Sequence, residues 1–344
     1  MLMKAQRIHQ WGGPLALEEV PNPVPGAGEV LIQVEACGIG LTVLNCIRGD
    51  LGHDPAALPR VPGHELVGRI VGVGPGVPDE RVGERVCAYF YLFCGHCRRC
   101  LAGSESLCEN LAGYVGVDRD GGYAEMTVLP ARNAIRLPEP LDPVLATAIP
   151  DAIATPLHVA HRAAIQPGER VVVIAAGGGV GIHMVQVARL HGADVVGLDR
   201  AEDKLAYLRQ QFQVETVNST DFADVQLPAR WTGKADVIID LLGRPASLAW
   251  AVTALDTGGR LVLLTTFPGI GFQATPREMV FRQATILGSR YASRWELDRA
   301  ARLVASGHIR PVVSQRVGLD ELGAIHESLQ QGTLLGRGAV VLTG

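Results

Sequence analysis

The sequence predicts a two-domain α/β protein: a β-rich first domain, followed by a doubly wound domain built on a parallel sheet. Length, texture and strand spacing carry this. At 344 residues the chain exceeds a single core of the usual size, roughly 100–200 residues per domain. Up to about residue 145 it reads as short strands between glycine and proline turns, and from Glu169 onward apolar runs of strand length alternate with helix-length segments.

In the first domain the strands are Val30-Leu-Ile-Gln-Val-Glu35, Leu66 to Val73, Arg85 to Tyr89 and Tyr123-Ala-Glu-Met-Thr-Val128. The first and last alternate apolar with polar residues, as half-buried antiparallel strands do. Around Ala146 the chain turns alanine-rich, and Leu145–Ile149 with Ile153–Ala164 predicts a helical link. Beyond it, Val171–Ile174, Asp194–Leu198, Ala235–Asp240, Arg260–Leu264 and Thr285–Leu287 are near-continuous apolar strands, the mark of a parallel sheet covered on both faces. An amphipathic helix at Glu296–Ser306 and strands at Val312–Ser314 and Gly338–Leu342 complete the chain and can return to the first domain. The expected division is 1–148 with 291–344, and 149–290.

Composition narrows the function classes. Lys plus Arg number 31 and Asp plus Glu 35, a formal net charge of −4 with no long run of either sign. A nucleic-acid face needs concentrated basic charge, so that partner is not expected. The N-terminus lacks a signal-peptide core and no stretch reaches ~18 uninterrupted apolar residues, so the expectation is a cytoplasmic protein without a membrane span. Seven cysteines, an odd number, make a disulfide framework a weak starting point, and spacing must decide their role.

After the strand Val171–Ile174 comes Ala175-Ala-Gly-Gly-Gly-Val-Gly181, then a helical Ile182–Leu190 and a second strand ending at Asp199. Such a turn brings backbone close to a pyrophosphate, whose charge the helix N-terminus favours. Gly178, Gly179, Val180 and Gly181 are the candidate phosphate contacts. Asp199 suits the two ribose hydroxyls of NAD and repels a 2′-phosphate, which favours NAD(H). The spacing is A-x-x-G-x-x-G rather than G-x-G-x-x-G, and Arg200 beside Asp199 keeps NADP(H) open. Lys204 is a further cofactor candidate.

Cys94-Gly-His-Cys97-Arg-Arg-Cys100 followed by Cys108 gives C-x2-C-x2-C-x7-C. Four thiolates in one loop can close tetrahedrally on a structural Zn²⁺ with no open position. A [4Fe–4S] cluster uses the same donors, but no other feature suggests electron transfer. His96 is a spare ligand. Cys37, Cys46 and Cys87 lie in apolar contexts that suit buried thiols.

Pro62-Gly-His-Glu65, the four-cysteine loop, Gly83-Glu-Arg-Val86, Gly121-Gly-Tyr-Ala-Glu125 and Ile149-Pro-Asp-Ala-Ile-Ala-Thr155, in this order before the glycine loop, resemble the zinc-containing medium-chain dehydrogenase/reductase family of the alcohol dehydrogenase type. The resemblance spans essentially the whole chain. It implies a GroES-like β-rich catalytic domain with a zinc lobe at about 94–108, a Rossmann domain, and a homodimer or homotetramer. It also implies a catalytic zinc held by His64, with Glu65 adjacent, and by Asp151. The family's first ligand stretch, A-C-G-x-C-x-[ST]-D, departs here: the chain reads Ala36-Cys-Gly-Ile-Gly-Leu-Thr-Val43, with Gly40 for the ligand cysteine and Val43 for the aspartate. Losing a thiolate and a hydrogen-bonding neighbour should lower zinc affinity steeply.

The resemblance assigns Thr42 to the substrate oxygen and Asn45 to the place where some relatives carry a relay histidine. It sets Thr155 near the nicotinamide and Arg294 near the cofactor. His53, Asp54 and His64 are candidate substitutes in the relay. The expected activity is NAD(H)-dependent interconversion of a small-molecule alcohol and its ketone or aldehyde, with the catalytic zinc absent or weakened. The alternatives are a zinc-independent reductase of the C=C bond of an α,β-unsaturated carbonyl or enoyl-CoA, and a non-catalytic dinucleotide-binding protein.

Overall fold

The structure, a computed structural model, describes residues 1–342 apart from 53, 266 and 268. In chain order the first stretch contains β1 (Leu2–Ile8), β2 (Leu15–Pro21), β3 (Glu29–Ile39), α1 (Leu41–Arg48), β4 (Leu66–Val73), β5 (Arg85–Ala88), α2 (Arg98–Leu101), β6 (Met126–Pro130), β7 (Ala134–Arg136) and α3 (Pro143–Ala146). A π-helical turn, Ile149–Ile153, leads into α4 (Ala154–Ala163). Next come β8 (Arg170–Ile174), α5 (Gly181–Leu190), β9 (Asp194–Asp199), α6 (Glu202–Phe212), β10 (Glu215–Asn218), β11 (Ala235–Asp240), α7 (Pro245–Ala254), β12 (Leu255–Leu263), α8 (Pro276–Arg282) and β13 (Thr285–Gly288). The chain closes with α9 (Arg294–Ala305), β14 (Val313–Val317), α10 (Leu322–Gln331) and β15 (Arg337–Val341).

Two compact units result, one of Met1–Ala154 with Ala292–Gly344 and the other of Thr155–Tyr291. The division falls at 154/155 rather than at 148/149, which leaves the π-helical turn and its Asp151 in the first unit. In that unit β14, β15, β3, β4, β5 and β7 follow one another across a mixed sheet, with β6 also paired to β3. β15 runs antiparallel to β3, with Gly338 opposite Ile39 and Ala339 opposite Gly38. This register sets Arg337 beside Gly40, just past the end of β3. Sequence patterning missed the β1–β2 hairpin, α1 and α10. β1 and β2 carry apolar residues without a strict period of two, and α1 is only eight residues long.

The second unit is a parallel sheet in the order β10-β9-β8-β11-β12-β13 among the described residues. Numbered from its own first strand this is 3-2-1-4-5-6, the doubly wound order with its switch point between β8 and β11. Val171, Val172, Val173 and Ile174 are fully buried, which explains why β8 reads as an unbroken apolar run. Back in the first unit, Ser293 caps α9, and its hydroxyl and Glu296 satisfy each other's backbone N–H groups reciprocally.

Arg170, at the start of β8, ties together interior strands of the parallel sheet. Its guanidinium donates to Asp236 at 2.6 and 2.9 Å, to Asp256 at 2.6 Å and to the Trp231 carbonyl at 3.1 Å, joining β8, β11 and β12. The hydrogen bonds from Arg170 hold both carboxyl groups below their ordinary 3.8. Groups depressed on folding stabilise above their unfolded pKa and lose that contribution as pH falls through the folded one. Arg170→Ala is therefore expected to cost roughly 2 kcal/mol at pH 7, with the deficit shrinking below pH ~4. Urea unfolding at the two pH values measures both; an equal deficit at each would count against the ion-pair account.

Candidate active site

Three separated segments of the first unit meet at one buried cluster. Gly63 adopts φ +99° and packs so closely that a Cβ there would lie 2.6 Å from the Tyr123 ring and 2.9 Å from Cys37 Sγ. Only glycine makes this turn, and it delivers His64 and Glu65 to the start of β4. Asp151 comes from the π-helical turn, a rare local geometry that recurs at functional sites. Ligand atoms of His64, Glu65 and Asp151 all lie within 4.8 Å of one another. His64 Nε2 stands 3.6 Å from Asp151 Oδ2, and its ring meets Phe90 edge-on at 4.6 Å.

The fourth member of the cluster is Arg337, which sequence reasoning missed. Its Nη2 lies 2.6 Å from Glu65 Oε1 and donates to Asp151 Oδ2 at 2.9 Å. The Glu65 contact is a close ion pair without hydrogen-bond alignment, since both Glu65 oxygens count as buried without a hydrogen-bond partner. Glu65 is 0% exposed and Arg337 7%. Burial pushes the Glu65 carboxyl up to about 7, against the pull of Arg337, and Asp151 adds to the rise. His64 Nε2 is also buried without a hydrogen-bond partner.

Gly40 borders the same cluster. Its backbone is extended (φ −137°, ψ 175°), a conformation open to any residue, so the constraint there is space. A Cβ at this position would fall 2.0 Å from Arg337 Nη1 and 2.7 Å from its Cζ. Thr42 follows in the first turn of α1, half-buried, and its hydroxyl makes no hydrogen bond among the described residues. Asn45, a turn later, accepts a hydrogen bond from Arg48. Asp54 caps a short 3-10 turn through the Ala56 N–H, and His53 lies outside the described residues. Cys37, Cys46 and Cys87 are buried; burial raises all three thiols, Cys46 to about 12, and Cys46 donates to the Gly116 carbonyl.

Elsewhere in this unit Cys94, Cys97, Cys100 and Cys108 gather with their sulfurs within 4.8 Å of one another. Sγ–Sγ separations of 3.5, 3.9 and 4.0 Å bracket the edge of about 3.8 Å that a tetrahedron with ~2.3 Å Zn–S bonds requires. Backbone N–H groups point at the sulfurs, from Cys97 to Cys94 and from Cys94 to Cys108, each at 3.3 Å. The His96 N–H leads the causes that hold the Cys94 thiol down to about 6, which favours the ligating thiolate. The His96 side chain turns instead to the Cys94 carbonyl. Arg294 lies in the same unit with its guanidinium over the Phe93 ring, 5.5 Å from the centroid, and its N–H on Glu105.

In the second unit the glycine loop links β8 to α5. Ala175 takes φ +60°, and a Cβ at Gly181 would sit 2.1 Å from the Ala175 carbonyl oxygen. Gly178 is less confined, at 3.3 Å from the same oxygen. A Cβ at Gly177 would meet Lys204 Cβ at 2.5 Å. Asp199 ends β9, its Oδ2 accepting from Gly177 N at 2.9 Å and its Oδ1 from Arg200 N and Ala201 N at 2.8 and 3.2 Å. A carboxylate offers about four acceptor sites, so capacity remains for a ribose hydroxyl. Lys204 is buried beside it and burial lowers its pKa, whereas Arg200 is exposed. Thr155 is buried in the first turn of α4.

Residues 26–139 match the alcohol dehydrogenase GroES-like domain and residues 179–306 the zinc-binding dehydrogenase family. An alcohol dehydrogenase of Moraxella sp. (strain TAE123) is 32% identical over 97% of this chain and 98% of its own length. An acryloyl-coenzyme A reductase of Metallosphaera sedula is 31% identical over 95% and 96%. Among solved structures, a cobalt- and zinc-bound thermostable alcohol dehydrogenase from Pyrobaculum aerophilum aligns with a TM-score of 0.89 at 30% identity, covering 99% of this chain and all of that one.

Two outcomes follow from these geometries. Cys97→Ser should release metal from the four-cysteine loop and lower the melting temperature by at least about 5 °C, read by metal analysis and scanning fluorimetry; unchanged values would deny the loop a metal. Asp199→Ala should raise the KM for NADH about tenfold or more while leaving that for NADPH unchanged or lower. Parallel loss with both nucleotides would reduce Asp199 to a loop brace.

Proposed function

The chain belongs to the zinc-containing medium-chain dehydrogenase/reductase family, an enzyme family of the alcohol dehydrogenase type, and on that premise we propose that it interconverts an alcohol and a ketone or aldehyde with NAD(H). The observation that carries the reading is the convergence of His64, Glu65 and Asp151 on one buried point, bordered by the Gly40–Thr42 segment. When bound, NAD(H) supplies or takes up the hydride. Asp199 and the glycine loop favour NAD over NADP, because a second anion on the ribose would face a carboxylate already fixed by three backbone N–H groups.

Reduction of a carbonyl adds hydride to carbon and a proton to oxygen. The chain must therefore place a hydrogen-bonding group at that oxygen and move a proton along it. Thr42 serves as this group, since a hydroxyl both donates and accepts and this one is not committed elsewhere among the described residues. Asn45 orients without titrating, unlike a relay histidine in its place.

The four-cysteine loop fits one structural zinc. The His64–Asp151 cluster does not fit a catalytic one: its thiolate is missing, and a guanidinium stands against two of its remaining donors. No step of the proposed reaction is routed through a metal there. That same feature favours a second reading, hydride addition to the C=C bond of an α,β-unsaturated carbonyl or acyl-CoA. Its enolate needs a hydrogen-bond donor and not a Lewis acid, and acryloyl-coenzyme A reductases are among the relatives.

NADH consumption with a panel of ketones, aldehydes and enones, with products identified, separates the two readings. Alcohol products from simple ketones or aldehydes are expected; saturated ketones or thioesters as the sole products would replace the first reading by the second. Thr42→Val should lower kcat about 100-fold or more with the melting temperature unchanged, and a variant retaining wild-type kcat would remove Thr42 from the proton path.

A further inference from the structure

Gly40 and Arg337 are distant in sequence and share one small volume. β15 lies antiparallel to β3, and Gly338 faces Ile39 across the ladder, so Arg337 is delivered beside position 40 by strand register. From there Nη2 reaches Glu65 at 2.6 Å and Asp151 at 2.9 Å, while Nη1 takes the volume into which a side chain at position 40 would grow. The backbone at Gly40 is extended and tolerates any residue. While Arg337 holds this pose on Glu65 and Asp151, space and not conformation favours glycine at 40.

We infer that Arg337 is the resident cation of the His64–Glu65–Asp151 cluster, that Gly40 admits it, and that the pair excludes a zinc there. The donors support this. The guanidinium already stands against both carboxyl groups, and a Zn²⁺ added beside it would bring two like-charged centres together without the thiolate that would compensate them. A guanidinium is always charged, planar and able to serve two carboxylates at once, so it gives these side chains a permanent counter-charge that no chelator removes. Arg337 acts here as a positioning residue. It fixes Glu65 and Asp151 and leaves His64 Nε2 without a hydrogen bond, 3.6 Å from Asp151 Oδ2. The inference deepens the reading of the site as an oxidoreductase centre and rests on it only for the reaction served.

Zinc stoichiometry of the purified full-length protein, expressed with zinc supplied, is the first test. The wild type should hold about one zinc per chain, and a Cys97→Ser/Cys100→Ser variant close to none. A second equivalent in the wild type, or one surviving the cysteine changes, overturns the inference. Gly40→Cys alone should stay at one, because the guanidinium occupies the side-chain volume, whereas Gly40→Cys with Arg337→Met should rise to two. Uptake of a second zinc by Gly40→Cys alone, or none by the double variant, overturns the exclusion. Where a variant does not fold, the wild-type count still decides. One zinc without turnover of any carbonyl or enone would defeat the functional reading and leave Arg337 as assigned, and two zincs with turnover would do the reverse.

Discussion

A carboxylate sealed from water is stable only when a counter-charge reaches it, and Glu65 is fully buried. The counter-charge comes from the opposite end of the chain, at the start of β15, and it also holds Asp151 from the π-helical turn. One guanidinium thus joins the glycine-turned start of β4, the last segment of the first unit before residue 155, and β15, which lies between β14 and β3 in its sheet. Pairing of β15 with β3 is therefore also what brings the cluster its cation.

The first unit holds two polar clusters with opposite logic. In the four-cysteine loop the sulfurs are spaced for a tetrahedral metal, and backbone N–H groups ease their charge. In the His64 cluster the donors are mixed and the positive charge belongs to the chain. The loop thus offers a metal four like donors, whereas the His64 cluster is organised by covalently anchored groups. The second unit is simpler: close approach of backbone at Gly181 and a carboxylate fixed by three N–H groups order the loop at which nucleotide binding is proposed.

Much of this was legible in the sequence because it is local. The fully buried strands of the parallel sheet read as apolar runs, the glycine loop and Asp199 lie within one βαβ span, and the four thiols sit within a single loop. His64, Glu65 and Asp151 were found through motifs, and the structure does bring them together. Arg337 was not legible. An arginine before a terminal apolar strand looks like an edge charge, and only the β3–β15 register reveals that it points at Gly40. The absent cysteine could be read as a loss, but not that something fills its volume. The unit boundary also moved, because an alanine-rich texture resembles one continuous helix and does not disclose a π-helical turn.

The clash at position 40 also bears on how the site tolerates change. A cysteine at 40 and the present pose of Arg337 cannot coexist, so exchanging the guanidinium for a thiolate takes two substitutions. Either one made first leaves the cluster worse off: a crowded cysteine, or Glu65 and Asp151 stripped of their cation. Positions 40 and 337 are therefore expected to behave as one mutational unit, each constraining what the other accepts.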